Sequence, residues 1–402
     1  MLTKKSVTEA EIAGKRVLVR VDFNVPLAGL TVTDDTRVRA ALPTIRHLID
    51  GGARVIIMSH LGRPKGDSFE VDYSLAPVQR SLERLVGREV VLLEGNIEHE
   101  ESVRSAIDAM VDGDIVMLEN IRFYPGEKAN NLEFAKTLAS LADLYVNDAF
   151  GAAHRAHAST AGVAEYLPSY AGLLLAREVD TLAAMLSDAP APFAAILGGS
   201  KVSDKLGVID RLIEVVDTLL IGGGMAFTFL AAQGHRIGLS LVEPDWIEPA
   251  RMMLDKAAAS ECTLLLPIDV VVADAFAEDA NTRIVGINEI PDDMMGLDIG
   301  PATAELFKGE IAQAKTIFWN GPMGVFELAA FEDGTREVAE AVARNTNATS
   351  VIGGGDSVAA LKKFGLENQV TFISTGGGAS MKLVEGQTLP GVDALLDASD
   401  SS

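Results

Sequence analysis

The stretch VIGGGDSV, residues 351–358, joins an apolar, β-branched run to three glycines, an aspartate and a serine. The apolar run predicts a strand, and glycines directly after it predict a tight turn with accessible backbone N–H groups. In an open α/β sheet, ligands bind outside the carboxyl ends of the strands, where such turns and helix N-termini can reach a phosphate. The stretch therefore predicts a parallel α/β sheet with an anion site at one edge.

The same order of strand, turn and helix recurs along the chain. In the first half, strands are predicted in RVLVRVDF, ARVIIMSH, VVLLEG, DIVMLEN and DLYVNDAF. In the second half, they are predicted in FAAILGG, DTLLIGGG, TLLLPIDVVV, KTIFWNGP, TSVIGGGD and VTFISTGGG. This alternation is typical of parallel βαβ units. Because 402 residues exceed the roughly 250–300 at which a single core stops growing, two α/β domains are predicted.

A helix-period segment, LLLAREVDTLAAML at 173–186, lies between the two halves and is followed by Pro190 and Pro192. It predicts a connecting helix with an apolar stripe. The stripe consists of Leu175, Val179, Leu182, Ala183 and Leu186. The predicted organisation is an N-terminal lobe over 1–172, a connecting helix over 173–188 and a C-terminal lobe over 189–388.

Charge and composition limit the possible partners and compartment. The net charge of −23 argues against nucleic acid or an anionic membrane as a partner, because the whole-molecule field repels both. The first 20 residues lack an uninterrupted apolar core, so no secretory signal is predicted and the expected compartment is the cytosol. The single cysteine, Cys262, lies in ECTLLLPIDVVV and is predicted to be an inert thiol in a buried strand.

Four glycine clusters follow predicted strands in the second half: GGSK at 198–201, GGG at 222–224, GGGD at 353–356 and GGG at 376–378. One cluster alone can simply permit a tight turn, but four favour a nucleotide or polyphosphate site. The chain contains neither GxxxxGK[ST] nor a complete GxGxxG at these clusters. Lys201 and Lys205 place cations beside the first turn. Asp356 is a candidate Mg²⁺ ligand, or alternatively a helix cap.

Arginines and histidines gather near the predicted strand ends of the first half. They are Arg37, His60, Arg63, Arg122, His154, Arg155 and His157. Guanidinium groups suit carboxylate and phosphate, so the set predicts a local anion pocket, with the histidines interpreted as anion ligands. Asp22 and Asn24 are candidate hydrogen-bond partners for a ligand hydroxyl. A metal site at HRAH is not favoured, because no carboxylate lies at ligand spacing.

Nine motifs, taken together, resemble the phosphoglycerate kinase family. They occur in the family's order and without departure: VRVDFNVP (19–26), SHLGRP (59–64), ENIRF (119–123), YVNDAFGAAHRAHAST (145–160), LGGSKVSDK (197–205), MGLDIGP (295–301), WNGPMGVFE (319–327), GGGDS (353–357) and STGGGAS (374–380). The resemblance implies two Rossmann-like lobes, with parallel sheets flanked by helices, that face each other across a cleft and are joined by an interdomain helix. It also implies reversible, Mg²⁺-dependent phosphoryl transfer between 1,3-bisphosphoglycerate and ADP, giving 3-phosphoglycerate and ATP, by direct in-line transfer on lobe closure.

The same resemblance assigns the site residues. The implied phosphoglycerate ligands are Asp22, Asn24, Arg37, His60, Arg63, Arg122 and Arg155. The implied nucleotide ligands are Lys205, Gly296, Asn320, Glu327, Gly353, Gly354, Gly355, Asp356 and Ser357, with Asp356 also holding Mg²⁺. The implied catalytic groups are Arg37, Lys201, Gly354 and Gly377. The C-terminal tail, 389–402, is expected to pack on the first lobe, and the protein is expected to be a cytoplasmic monomer.

Two other two-lobed classes share parts of this pattern. A nicotinamide-dependent dehydrogenase requires GxGxxG after a strand and an acidic residue about 20 positions later, and neither is found convincingly here. A solute-binding protein also clamps an anion, but it is normally exported and does not require four glycine loops beside lysines. Titration with ATP separates both classes from a kinase.

Overall fold

The computed structural model describes residues 3–99 and 101–398. These residues form two compact units. Unit 1 comprises the described residues up to Thr181 and from Thr388 onward, and unit 2 runs from Leu182 to Gln387. The division at Thr181 falls inside one continuous helix, Leu173–Ser187.

Unit 1 contains a sheet of six parallel strands and a short hairpin. In chain order its strands are β1 Arg16–Arg20, β2 Leu27–Ala28, β3 Thr31–Val32, β4 Arg54–Met58, β5 Val91–Leu93, β6 Ile115–Leu118, β7 Leu144–Asn147 and β8 Ser169–Ala171. The spatial order of the six-stranded sheet is β5-β6-β4-β1-β7-β8, and β2 pairs with β3. The central strands are buried almost throughout, as expected for a parallel sheet covered on both faces.

The helices of unit 1 are α1 Thr36–Asp50, α2 Ala76–Val86, α3 Glu101–Asp108, α4 Pro125–Lys128 and α5 Leu132–Ala139. Helix α1 shows why they form where they do. It buries Val38, Leu42 and Ile45 on one face, at spacings of three and four residues. That face packs into the core that also contains β1 and β4, and Arg37 lies in the first turn of α1, at its N-terminal end.

Helix α6, Leu173–Ser187, spans the boundary between the two units in sequence. Leu175, Val179 and Leu182 of its predicted stripe are buried. Ala183 and Leu186 are only half-buried. The predicted apolar stripe is therefore buried at its first three positions and only partly buried at its last two.

Unit 2 contains a second parallel sheet of six strands and a separate three-stranded antiparallel sheet. Its strands are β9 Phe193–Leu197, β10 Thr218–Ile221, β11 Thr263–Leu265, β12 Asp269–Ala273, β13 Thr282–Gly286, β14 Met295–Ile299, β15 Thr316–Asn320, β16 Thr349–Gly353 and β17 Phe372–Ile373. Its helices are α7 Leu206–Leu212, α8 Met225–Ala232, α9 Ile247–Ala258, α10 Pro301–Gln313, α11 Asp333–Arg344, α12 Gly355–Lys363 and α13 Gly378–Val384. The parallel order is β11-β10-β9-β15-β16-β17, so the predicted parallel α/β architecture is confirmed in both units.

The prediction of one strand in TLLLPIDVVV is wrong. The segment forms β11, which pairs in parallel with β10, and β12, which lies between β13 and β14 in the antiparallel sheet. Pro267 separates them, and a proline has no N–H to continue a ladder. Cys262 is buried as predicted, but it precedes β11, and burial raises the pKa of its thiol to about 11.

The end of the described chain returns to unit 1. A short helix, α14 Pro390–Asp393, lies beside the loop after β7. Gly391 N donates to Ala153 O at 2.9 Å, and Asn147 Nδ2 donates to Gly391 O at 2.9 Å. Lys4 Nζ reaches the carbonyls of Asp393 and Leu395. Residues 399–402 of the predicted tail lie outside the described residues.

Within residues 3–99 and 101–398, no helix combines the length and apolar character needed to cross a membrane.

Candidate functional site

Polar and charged side chains meet near the carboxyl ends of the strands in unit 1. Arg37 Nη1 lies 3.2 Å from both carboxylate oxygens of Asp22 and donates to Asn24 O at 3.1 Å. Asn24 Oδ1 accepts from Gly62 N at 2.8 Å. Gly62 O accepts from Arg122 Nη1 at 2.7 Å. The loops after β1, β4 and β6 are therefore joined by one continuous chain of hydrogen bonds.

Arg122 has an unsatisfied donor in this cluster. Its side chain is buried, and its Nε has no hydrogen-bond partner among the described residues. Burial lowers the pKa of Arg122 to about 10, helped by the charges of Arg20 and Arg155. Leaving a buried N–H unpaired costs about 1–3 kcal/mol, and an anion bound at this position would satisfy it.

His60 is a buried, neutral hydrogen-bond donor. Its Nδ1 lies 3.0 Å from Nη2 of Arg20. Because a guanidinium only donates, Nδ1 accepts and the ring proton sits on Nε2. Burial, followed by the charges of Arg20 and Arg122, holds the pKa of His60 well below its ordinary value. His60 can therefore meet an anion as an N–H donor, but not as a cation.

The remaining predicted residues of unit 1 divide into two groups. Arg63 and Arg155 are exposed, and Arg155 Nε donates to Nε2 of His154 at 3.1 Å. His157 is buried, with Nδ1 3.5 Å from Oε1 of Glu127. Two arginines are thus available at the surface of the cluster, whereas His157 faces an internal carboxylate.

Glu127 and Arg20 were missed by the sequence reasoning. Both side chains are fully buried. Glu127 belongs to YPGEKANN, where a glutamate beside proline, glycine and lysine is typical of a solvated helix start. β1, RVLVR, has an arginine at each end, and the position of Arg20 at the carboxyl end of a predicted strand was the available signal.

In unit 2, two of the glycine clusters are required by close contact between backbone segments. Gly198 N donates to Asn320 O at 3.0 Å, and Gly223 N donates to Met323 O at 2.9 Å. A Cβ added at Gly198 would lie 2.0 Å from the carbonyl oxygen of Pro322. The turns after β9, β10 and β15 therefore stack directly on one another, which no larger residue would allow.

A cavity of about 490 Å³ opens beside these turns. Backbone of Gly199, Gly223 and Gly224 lines one part of it. The apolar lining includes three largely exposed side chains, Leu239, Leu241 and Phe276. Gly296, Glu327 and Asp356 also line the cavity. It therefore combines a bare backbone surface suited to phosphates with an apolar surface suited to a planar ring.

The GGGDS stretch forms the end of β16 and the start of α12. Gly354 is the N-cap residue, with φ +86° and ψ 141°, and no side chain caps the helix. Asp356 lies in the first turn, exposed, and lines the cavity. The helix-cap alternative for Asp356 is therefore excluded. Ser357 is buried, and its Oγ accepts from Gly321 N at 2.6 Å, so it supports the loop after β15.

The cations of unit 2 have different surroundings. Lys205 is half-buried, and its Nζ donates to Asn320 O at 2.8 Å and to Asn320 Oδ1. Burial lowers the pKa of Lys205 to about 8, opposed by the charges of Asp356 and Asp204. Lys201 is exposed. Gly377 precedes α13 with φ +48°, and open space surrounds the position of an added Cβ.

The described part of the chain contains no cluster of three or more histidine, cysteine, aspartate or glutamate side chains that could hold a metal ion.

The sequence model of the family PGK, phosphoglycerate kinase, matches residues 7–387. The chain belongs to the phosphoglycerate kinase family. A phosphoglycerate kinase of Dictyoglomus turgidum is 55% identical over 399 residues, which cover 98% of this chain and 100% of that protein. A phosphoglycerate kinase of Rubrobacter xylanophilus is 57% identical over 394 residues, covering 98% of each.

Solved structures agree. The phosphoglycerate kinase of Coxiella burnetii has a TM-score of 0.88 and 44% identity, and the match covers 97% of this chain and 98% of that one. The phosphoglycerate kinase of Pyrococcus horikoshii OT3 has a TM-score of 0.83 and 32% identity, with the same coverage. Phosphoglycerate kinases are glycolytic phosphotransferases with a carboxyl group as acceptor, so the predicted family and activity are confirmed. The dehydrogenase and solute-binding alternatives are excluded.

Proposed function

We propose that unit 1 binds 3-phosphoglycerate or 1,3-bisphosphoglycerate through the cationic cluster near the carboxyl ends of its strands. The proposed ligands are Asp22, Asn24, Arg37, His60, Arg63, Arg122 and Arg155. The buried, unpaired Nε of Arg122 carries the proposal, because it is a donor held in place without an acceptor. The carboxylate and phosphate of the substrate are acceptors of the required charge. Asp22 and Asn24 are suited to the hydroxyl.

Unit 2 binds ADP or ATP in the glycine-lined cavity. The proposed ligands are Lys205, Gly296, Asn320, Glu327, Gly353, Gly354, Gly355, Asp356 and Ser357. The polyphosphate lies along the bare backbone near α12, and the base contacts the apolar lining. Ser357 Oγ accepts from Gly321 N, so Ser357 also supports the loop after β15. Lys205, protonated at neutral pH by virtue of a pKa of about 8, supplies a positive charge.

Mg²⁺ fits this site as a companion of the nucleotide. Asp356 presents one exposed carboxylate to the cavity, and Mg²⁺ is usually bound by one or two carboxylates together with substrate phosphates. The lack of a larger acidic cluster among the described residues agrees with a metal that arrives with the nucleotide. When bound, Mg²⁺ supplies charge neutralisation at the phosphate oxygens.

Four groups are proposed to stabilise the transferring phosphoryl group: Arg37, Lys201, Gly354 and Gly377. Phosphoryl transfer spreads negative charge over the equatorial oxygens, so cations and backbone N–H groups are the useful catalysts. Arg37 and Lys201 contribute charge. Gly354 and Gly377 precede α12 and α13 with positive φ, which leaves the adjoining amides without a side chain to cover them.

The proposed functional division follows these sites. The phosphoglycerate-binding lobe comprises residues 1–172 and the tail from residue 389. The nucleotide-binding lobe comprises residues 189–388, and the helix over residues 173–188 connects the two lobes. The protein is further proposed to be a cytoplasmic monomer that binds neither nucleic acid nor membranes. The net charge of −23 supports the exclusion of polyanionic partners.

The test is ATP-dependent phosphorylation of 3-phosphoglycerate with Mg²⁺, coupled to reduction of the bisphosphate product. Lys201→Ala is compared with Lys308→Ala, a matched lysine of unit 2 that pairs with Glu305 and Glu337 on α10 and α11. We expect kcat to fall at least tenfold in Lys201→Ala and to remain near the wild-type value in Lys308→Ala. Equal rates in the two variants would refute the catalytic role of Lys201.

A further inference from the structure

We propose that Glu127 is a positioning residue for the phosphoglycerate site, acting through Ser159 and Arg20 on His60. This inference rests on the proposed function, in which His60 is a substrate ligand. Glu127 lies within the core of unit 1 and is not among the proposed ligands. Its role is to determine how firmly the cluster binds the phosphoglycerate, without touching it.

A buried relay of hydrogen bonds connects Glu127 to His60. Ser159 Oγ donates to Glu127 Oε1 at 2.7 Å, and Ser159 N donates to Glu127 Oε2 at 3.0 Å. The same Ser159 Oγ accepts from Arg20 Nε at 2.9 Å. Arg20 Nη2 then lies 3.0 Å from His60 Nδ1. All four side chains are at least nine-tenths buried.

Donors and acceptors match at every link of this relay. A serine hydroxyl has one proton, which goes to Glu127, and its lone pair accepts from Arg20. Because Arg20 can only donate, His60 Nδ1 must accept, and His60 Nε2 carries the proton. That N–H lies on the side of Asp22, with Nε2 4.0 Å from Asp22 Oδ1. The relay therefore sets the tautomer with which His60 meets the ligand.

Charge balance gives Glu127 a second reason to be buried here. Arg20 is a fully buried cation within a group of arginines, and an uncompensated charge there is costly. Burial raises the pKa of Glu127, but the hydrogen bond from His157, the charge of Arg20 and the hydrogen bond from Ser159 outweigh it, so its pKa lies below the ordinary value. Glu127 is therefore ionised and neutralises Arg20.

Glu127 also holds the segment that carries Arg155. Besides its side-chain bonds to Ser159, its carbonyl accepts from Ala158 N at 3.0 Å. His157 Nδ1 lies 3.5 Å from its carboxylate. The three consecutive residues 157–159 are thus held by the side chain and the backbone carbonyl of Glu127. Displacement of that anchor would move both Arg155 and the Arg20–His60 pair.

The test uses the full-length enzyme and the variant Glu127→Gln. The amide has nearly the same shape, but it places an N–H₂ against one of the two donors of Ser159 and removes the charge opposite Arg20. We expect KM for 3-phosphoglycerate to rise about tenfold or more, while KM for MgATP and kcat stay within about twofold. The ring ¹⁵N spectrum of His60 should show loss of the single Nε2–H form.

Two further variants keep the inference falsifiable. Ser159→Ala breaks the relay with little change of volume, and we expect it to raise the same KM even if Glu127→Gln does not fold. Asp143→Asn is the matched control, because Asp143 pairs with Arg16 at the opposite end of β1. It should leave KM for 3-phosphoglycerate unchanged. An equal rise in the control would mean general loosening of unit 1 and would overturn the positioning role.

His60→Ala separates failure of this inference from failure of the proposed site. If His60→Ala raises KM for 3-phosphoglycerate while Glu127→Gln and Ser159→Ala do not, the inference alone is overturned. If His60→Ala leaves KM unchanged, His60 is not a ligand, and its assignment to the proposed site fails together with the inference.

Discussion

Replacement of Gly354 by alanine tests whether the bare backbone before α12 is needed for nucleotide binding. Gly354 has φ +86° and ψ 141°, a region that residues with a side chain rarely adopt, so alanine there stores about 1–3 kcal/mol of strain. Its Cβ would lie 2.9 Å from Asn320 Nδ2. Ordinary contact begins at 3.4 Å, so the Asn320 amide or the loop must move by about 0.5 Å (3.4 minus 2.9).

That movement reaches the nucleotide site through Lys205. Asn320 accepts from Lys205 Nζ with both its backbone and side-chain oxygens. Loss of a hydrogen bond to a charged group costs about 1.5–3 kcal/mol, and a partial loss would weaken binding about tenfold. We therefore expect Gly354→Ala to lower the free energy of unfolding by about 1–3 kcal/mol and to raise the Kd for MgADP about tenfold.

Gly365→Ala is the matched control. Gly365 follows α12 with φ +70°, and nothing lies within 4 Å of an added Cβ. Its cost is backbone strain alone, about 1–2 kcal/mol. Denaturant unfolding and calorimetric titration with MgADP would be run on both variants. If both bind MgADP with wild-type affinity, or if both weaken it equally, the argument from Gly354 and Asn320 is refuted.

Three further predictions concern single charges. Arg37→Ala should lower kcat far more than it changes the Kd for MgADP, because Arg37 lies in unit 1 and the nucleotide cavity in unit 2. Steady-state kinetics and calorimetric titration with MgADP would measure the two effects, and an unchanged kcat would refute a catalytic role for Arg37. Asp356→Ala should weaken Mg-nucleotide binding about tenfold and leave 3-phosphoglycerate binding nearly intact; equal loss of both ligands would indicate unfolding instead. Lys205 is charged below its pKa of about 8, so MgADP affinity should fall as pH rises from 7 to 9.5, and a flat profile would contradict that role.

The strands and turns that were predicted correctly from the sequence were those whose signal lies in a few neighbouring residues. Strands β9, β10 and β16 were predicted because an apolar run indicates a strand and the glycines directly after it indicate a turn. The antiparallel sheet was missed because an apolar run such as that of β12 has the same composition in either kind of sheet. Pro267 was the one local indication that the run is divided.

The candidate site divides in the same way. Charged residues beside strand ends, such as Arg122, could be found from the sequence because a parallel sheet brings those ends together. The relay from Glu127 could not, because Arg20 and Ser159 are 139 positions apart and nothing local identifies either as the partner of the other. The structural role of Ser357 was hidden for the same reason, since its partner Gly321 is 36 positions away.

The return of the chain's end to unit 1 has a consequence for synthesis. A ribosome that has completed residue 181 has produced every strand of the first sheet, yet α14, which bonds to Ala153 and Asn147, is still to come. Unit 2 is encoded without interruption and can fold as soon as it emerges. The loop that carries Arg155 thus gains this neighbour only after unit 2 has been synthesised, so a chain that stops between Gln387 and Pro390 would contain all of unit 2 and would lack α14 of unit 1.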